Sequence, residues 1–322
     1  MYEAIKSFNK QFLYQPEVKN QENLTKKSSF VVVGMGGSAH APKLLKTCKP
    51  SIDMIIHQEY GLPEISIEEL KNKLIIFSSY SGNTEEVINA FKKAKKMNLN
   101  MAVISVGGKL LSLAKENNIP YIELPNIGIQ PRSALGFSIK AFLKMIGEES
   151  ELENIGSLVT TLKPTDYEEN GKVLAQKLKK CVPIVYASNI NSSLAEIWKI
   201  KLNETGKIPA FYNVLPELNH NEMTGFDVKD STQELSDKFY FIVLKDSEDN
   251  PKILKRMAVL EKLYRDRNLK VETIKLENKN IWHKIFSSLL LADWTAYYIA
   301  MEYGLEPEQV PMVEEFKKLI LK

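Results

Sequence analysis

A chain of 322 residues with 44% hydrophobic residues and a formal net charge of +3 can bury two ordinary cores and has neither a disordered nor a fibrous composition. Its charges are interspersed, and the lysine-rich KKAKK at 92–96 falls in a helix-like segment without interleaved aromatic residues, so no nucleic-acid partner is expected. Cys48 and Cys181 form no CxxC spacing, the four histidines (His40, His57, His220, His283) show no ligand pattern, and no run of about 18 apolar residues occurs; the expectation is a cytoplasmic protein with no metal and no membrane contact.

In chain order, short apolar runs alternate with helix-length amphipathic segments. FVVVGM at 30–35 is followed by a glycine loop and a helix-like stretch, then IDMIIH at 52–57 and LIIFSS at 74–79. TEEVINAFKKAKKM at 84–97 reads as a helix, MAVISVG at 101–107 as a strand, 109–117 as a helix and YIELP at 121–125 as a strand. Strands apolar on both faces that alternate with helices predict an α/β fold built on a doubly wound parallel sheet. The acidic, polar stretch 148–170 reads as a connection. After it the order repeats, with PIVYASN at 183–189, the helix-like SLAEIWKIKLNE, FYFIVLK at 239–245, PKILKRMAVLEKLYRD and KVETIKL at 270–276. Two similar folds in tandem, 1–150 and 151–322, are expected, closed by helices from about 282 to 303 and from 312 onward.

Two loops carry the chemistry. GMGGSA follows the first strand and supplies Gly36, Gly37 and Ser38; SSYSGNTEEV follows the third and supplies Ser79, Ser81 and Thr84. In an open α/β sheet both loops reach one edge, where hydroxyls and free N–H groups at helix starts suit a phosphate. The bland reading is a pair of capped corners that need glycine and serine only for turn geometry. A rival reading is a dinucleotide site, since Gly34-x-Gly36-x-x-Ala39 satisfies the fingerprint with Glu59 downstream. Against it stand Pro42, which limits where the helix begins, and the second serine-rich loop, which suits a small phosphorylated ligand better. The GK[ST] ending of a nucleotide P-loop is absent.

These blocks resemble the paired loops of SIS (sugar isomerase) domains. With QPRSALGFS at 130–138, EIWKIKLNETGKIPAFYN at 196–213, LPELNHNEMTGF at 215–226 and the terminal ADWTAYYIAMEYGLEPEQVPMVEEFKKL, most of the chain resembles the bifunctional phosphoglucose/phosphomannose isomerases of archaea and bacteria. The resemblance implies two tandem SIS domains, a metal-free and nicotinamide-free aldose–ketose isomerisation, and a sugar-phosphate substrate held by Gly36, Gly37, Ser38, Ser79, Ser81 and Thr84. It implies Glu204 as the base that moves the proton between C1 and C2, Arg132 as the cation facing the enediolate, and His220 as a ring-opening group. It further implies a homodimer in which His220 reaches the site from the second subunit. The ring-opening lysine falls on Lys317 or Lys318, with Lys317 preferred because it follows Phe316. His40 departs from the small or apolar residue expected after GGS-small and bears on the shape of the sugar pocket.

Residue types alone leave blander roles open: Glu204 as a surface glutamate paired with Lys201 or Lys207, His220 as a hydrogen-bonded loop residue, Arg132 as a linker ion pair. The functional alternatives are another SIS chemistry on aminated sugar phosphates, as isomerase or deglycase, and a sugar-phosphate sensor without catalysis. Glu204 and His220, together with the lack of a helix-turn-helix partner in the sequence, favour an enzyme.

Overall fold

Among the described residues nine strands form, most of them where runs of Val, Ile, Leu, Phe and Met can be buried on both faces. In the computed structural model, which describes residues 1–320, these are β1 (Ser29–Gly34), β2 (Asp53–His57), β3 (Leu74–Ser78), β4 (Met101–Ser105) and β5 (Tyr121–Glu123), followed by β6 (Val182–Ser188), β7 (Phe211–Leu215), β8 (Phe239–Asp246) and β9 (Lys270–Leu276). The first five make one parallel sheet in the order β2-β1-β3-β4-β5, and the last four a second in the order β7-β6-β8-β9. The α/β architecture with two parallel, helix-flanked sheets is the one expected. The chain divides into Ser7–Leu162 and a second unit made of Lys163 onward with Met1–Lys6.

The first core follows from helix periodicity. On the helix Glu85–Lys96, Val87, Ala90, Phe91 and Ala94 lie on one buried face, and Phe91 meets Phe77 of β3 edge-on at 5.4 Å. Glu85 and Glu86 begin this helix and Lys93, Lys95 and Lys96 end it, which suits the helix dipole at both ends. In the second unit Tyr186, Phe241, Val243, Leu260 and Tyr264 form the corresponding cluster. The helix Ile281–Glu302 runs against the helix Glu168–Leu178, and its Trp294 donates a hydrogen bond of 2.8 Å to the carbonyl of Pro164.

Three features differ from the expectation. The contact boundary falls after Leu162 rather than at 150, because 149–156 and 158–161 are helices that pack on the helix Leu135–Ile146 and the turn Phe8–Leu13, burying Ile155, Leu158 and Leu162. The strand β7 has no counterpart in the sequence pattern, since Phe211 and Tyr212 are exposed on an edge strand and break the all-apolar signature. The helix after the glycine loop begins at Gly37 despite Pro42, which sits buried inside it.

Gly171 allows a close contact between the helices Glu168–Leu178 and Ile281–Glu302. A Cβ there would stand 2.4 Å from the Cβ of Trp294 and 3.0 Å from the backbone N of Thr295, so backbone would have to move. Gly171→Val is expected to destabilise the protein by about 2 kcal/mol or more, seen as a lower urea midpoint. Gly156→Ala, where a Cβ meets nothing within 4 Å, is expected to leave the midpoint unchanged or slightly raised.

Candidate functional site

Strands β1 and β3 are neighbours with Gly34 opposite Ser78, and the chain leaves β1 toward β2 on one side while β3 leads to β4 on the other. That is a topological switch point, the crevice where open α/β sheets bind ligands. The two serine-bearing loops meet there, as expected. Ser38, in the first turn of the helix Gly37–Cys48, accepts a hydrogen bond of 2.9 Å from the amide of Tyr80, which ties one loop to the other. Ser79 Oγ accepts from the Gly82 amide at 3.1 Å and forms a hydroxyl–hydroxyl hydrogen bond with Thr84 Oγ1 at 2.7 Å. Ser81 is exposed and its Oγ accepts from the Asn83 amide at 3.3 Å. Gly36 adopts φ +50°, a left-handed conformation that side chains disfavour, and Gly37 lies where a Cβ would come 3.1 Å from Pro131 and 3.3 Å from the backbone N of Arg132. The bare backbone of Gly37 thus admits the turn Pro131–Ser133, and with it buried Arg132, beside the first loop. His40 is buried within the Gly37–Cys48 helix, so its ring takes part in packing there instead of standing open to solvent.

Glu204, His220 and Lys317 belong to the second unit. Glu204 ends the helix Ser192–Glu204, which returns from the carboxyl end of β6 to the start of β7; the neighbouring Asn203 donates to the carbonyls of Ile208 at 2.9 Å and Ala210 at 3.4 Å, just ahead of that strand. Glu204 is half-buried. Lys201 is committed to a buried ion pair with Asp293 at 2.5 Å, and Lys207, at φ 59°, donates to the carbonyl of Glu204 at 2.6 Å and to that of Gln309. This second bond holds the approach to the helix Pro311–Ile320 beside the end of the Glu204 helix. Lys317 and Lys318 are both exposed on that last helix, and Lys317 pairs with Glu314 at 2.8 Å.

His220 closes the short turn Glu217–His220 beyond the carboxyl end of β7 and is exposed. Glu204 and His220 therefore sit at opposite ends of β7, a strand of five residues that spans about 16 Å. Within one chain the two side chains are kept apart by that strand.

Two networks around these positions have only weak sequence signals. Glu222, two residues after His220, accepts from the Tyr186 hydroxyl on β6 and from the Asn213 side chain on β7. Burial first, then the neighbouring Tyr264 and Glu222, push the Tyr186 phenol far above its usual value, so it remains a donor to the carboxylate. Asn221 adds bonds to Glu217 at 3.0 Å and from the Glu222 amide at 2.6 Å, and the turn that presents His220 is anchored on both sides. The NHNE block contained the clue, but only the fold shows its partners.

The second network fills the switch point of the second sheet, between β6 and β8. Lys284 donates to Asp246 at 2.8 Å and to Glu248 at 2.5 Å, while Asn191 donates to Asp246 at 3.3 Å and to Asp249 at 3.5 Å. Where the first crevice presents donors, this one presents carboxylates that hold an internal ammonium, the reverse of a phosphate site. Burial alone would lower the Lys284 ammonium, but its bonds to Asp246 and Glu248 and their charges hold it above the usual lysine value. Its stabilisation is accordingly complete at neutral pH, below the unfolded value near 10.4, and is lost as pH rises through the higher folded value. Asp249 is held above the usual aspartate value, chiefly by burial, so its ionisation on raising the pH costs stability in the folded state. Lys284→Met is expected to cost about 3–5 kcal/mol in urea unfolding at pH 7, because Asp246 is left charged and buried, and the deficit is expected to shrink above pH ~10.4. An equal deficit at both pH values would contradict this.

Among the described residues, no group of three or more His, Cys, Asp or Glu is placed to hold a metal ion, and no helix is long and apolar enough to cross a membrane.

Comparison with known proteins places this geometry in context. A sequence profile for the bacterial phospho-glucose isomerase C-terminal SIS domain matches residues 167–320. The bifunctional phosphoglucose/phosphomannose isomerase of Aquifex aeolicus is 30% identical, with 100% of this chain and 98% of that protein covered. The D-glucosamine-6-phosphate 4-epimerase of Sulfolobus acidocaldarius is 25% identical over 99% of this chain and 96% of that protein. The crystal structure of glucosamine-6-phosphate deaminase from Thermotoga maritima superposes with a TM-score of 0.64 at 17% identity, covering 96% of this chain and 95% of that one, and shares the fold.

Proposed function

The chain belongs to the bifunctional phosphoglucose/phosphomannose isomerase family, and we propose that it interconverts glucose 6-phosphate, mannose 6-phosphate or both with fructose 6-phosphate through a cis-enediolate. The observation that carries this reading is the convergence of Ser38, Ser79, Ser81 and Thr84 at the β1/β3 crevice, a donor-lined edge that suits a phosphate dianion. Glu204 takes the C2 proton of the aldose and returns it to C1, and the reverse for the ketose. Arg132, with a fixed fork of donors and a permanent charge, meets the negative charge that develops on the enediolate oxygens. His220 and the lysine at 317 move protons at the ring oxygen and the C1 hydroxyl to open and close the pyranose.

The placement of Glu204 and His220 at opposite ends of β7 supports a homodimer in which each site takes its histidine from the other copy. A phosphate clamp of hydroxyls and amides, a carboxylate base and an imidazole suffice for this chemistry, and no step calls on a metal or a nicotinamide. The likeness to a D-glucosamine-6-phosphate 4-epimerase favours a second reading, an aminated sugar phosphate as substrate, with the same phosphate clamp.

The test is fructose 6-phosphate formation from glucose 6-phosphate and from mannose 6-phosphate, with glucosamine 6-phosphate assayed beside them. Glu204→Gln is expected to lower turnover by about 10²–10⁴, the usual contribution of a general base, while sugar-phosphate binding persists. Turnover of glucosamine 6-phosphate alone would transfer the assignment to the second reading. For the shared site, Glu204→Gln and His220→Ala proteins are each expected to keep at most about a hundredth of wild-type activity. Unfolded and refolded together, they are expected to regain about a quarter of wild-type activity, since half the random dimers carry one intact site. No recovery on mixing would place His220 and Glu204 in one chain's site or remove one of them from catalysis.

A further inference from the structure

On the second unit, beside the turn that ends in His220, lies a cavity of about 430 Å³ between the helix Pro251–Arg265 and the residues Asn219 and Met223. Its lining divides by chemistry. Lys252, Lys255 and Arg256 stand on one face of the helix, followed at the same spacing by Val259, and Met223 lies opposite with buried Leu260 beneath. Like charges three and four residues apart cost a helix stability, and among the described residues none of these three cations takes part in an ion pair. Arg256 is oriented instead by a neutral partner, donating from Nη1 to Asn219 Oδ1 at 3.4 Å, while Asn219 Nδ2 turns to the sulfur of Met223 at 3.0 Å. Asn219 thus links the cationic rim to the apolar wall. The helix adds to the field, since its first turn, capped by Asn250 accepting from the Lys252 amide at 2.9 Å, lies at the cationic end.

We propose that this groove is a binding site for a small organophosphate: a phosphate dianion on Lys252, Lys255 and Arg256, with an apolar body against Met223, Val259 and Leu260. Three positive charges within two helical turns match a dianion better than a monocarboxylate, and the apolar wall distinguishes an organic phosphate from the inorganic ion. The volume is that of a small-ligand site. Two of the lining residues, Asn219 and Met223, flank the end of the turn Glu217–His220. The site is separate from the hydroxyl-lined crevice of the first sheet, and its existence does not depend on what that crevice binds.

The full chain labelled with methyl-¹³C methionine reports on the groove directly, because Met223 lines it; its resonance is assigned with Met223→Leu. Phenyl phosphate is titrated in, with inorganic phosphate and benzyl alcohol as comparators. The Met223 resonance is expected to shift saturably with phenyl phosphate and at least about tenfold more weakly with either comparator. Lys255→Ala/Arg256→Ala is expected to weaken the phenyl phosphate response by about a hundredfold while the other methionine resonances keep their positions, which excludes unfolding as the cause. Raised salt is expected to weaken the wild-type response. An unmoved Met223 resonance, an equal response to benzyl alcohol or inorganic phosphate, or an undiminished response in the double variant would each overturn the proposal.

Discussion

The parallel pairing of β1 with β3 is the constraint from which the first crevice follows. Register places Gly34 beside Ser78, and the absence of a side chain at Gly34 is what lets the strands' exits lie so close: a Cβ there would come 3.1 Å from the Ser78 carbonyl and 3.3 Å from that of Ser38. Once the two backbones leave the sheet side by side, Ser38 reaches the Tyr80 amide and the loops become one structure. The same economy of volume recurs at Gly37, where the turn carrying Arg132 closes in. The loops that carry Ser38 and Ser79 and the turn that carries Arg132 are therefore brought together by close backbone approach.

The second sheet has the same wiring at its switch point and opposite chemistry. Its loops carry Asp246, Glu248 and Asp249 where the first sheet carries serines, and the ammonium of Lys284 occupies their midst. A buried pair of this kind gains stability only when every charge is answered, and Lys284 answers with bonds to two carboxylates while Asn191 bridges to the third. One sheet of the tandem pair thus carries hydroxyls and amides at its switch point, and the other holds a cation of its own.

The edge strand β7 has consequences larger than its length. It separates Glu204 from His220, and it also supplies Asn213, which with Tyr186 holds Glu222 and so fixes the turn from which His220 projects. A histidine that is exposed but rigidly presented is suited to act on something outside its own chain. The last helix, whose residues through Ile320 are exposed, begins where Lys207 binds the carbonyl of Gln309 beside the end of the Glu204 helix.

Much of this was legible in the residues. Most of the strands found among the described residues announce themselves as apolar runs because a parallel sheet covered on both faces leaves no polar side, and the serine and glycine loops stand at their ends in plain view. The positions of Ser38, Ser79, Ser81 and Thr84 on one crevice could be argued from strand order alone. The strand β7 could not, since exposed Phe211 and Tyr212 erase the pattern, and neither could the boundary after Leu162, which depends on helices folding back onto the first unit. The chain's own pattern determined the α/β class, the tandem architecture and the loops rich in phosphate donors, because these rest on periodicity and on local turn chemistry. Tertiary structure alone decided that Lys284 fills the second crevice, that β7 divides Glu204 from His220, and that Lys252, Lys255 and Arg256 share a groove with Met223. Those facts concern which distant side chains meet, and only packing sets that.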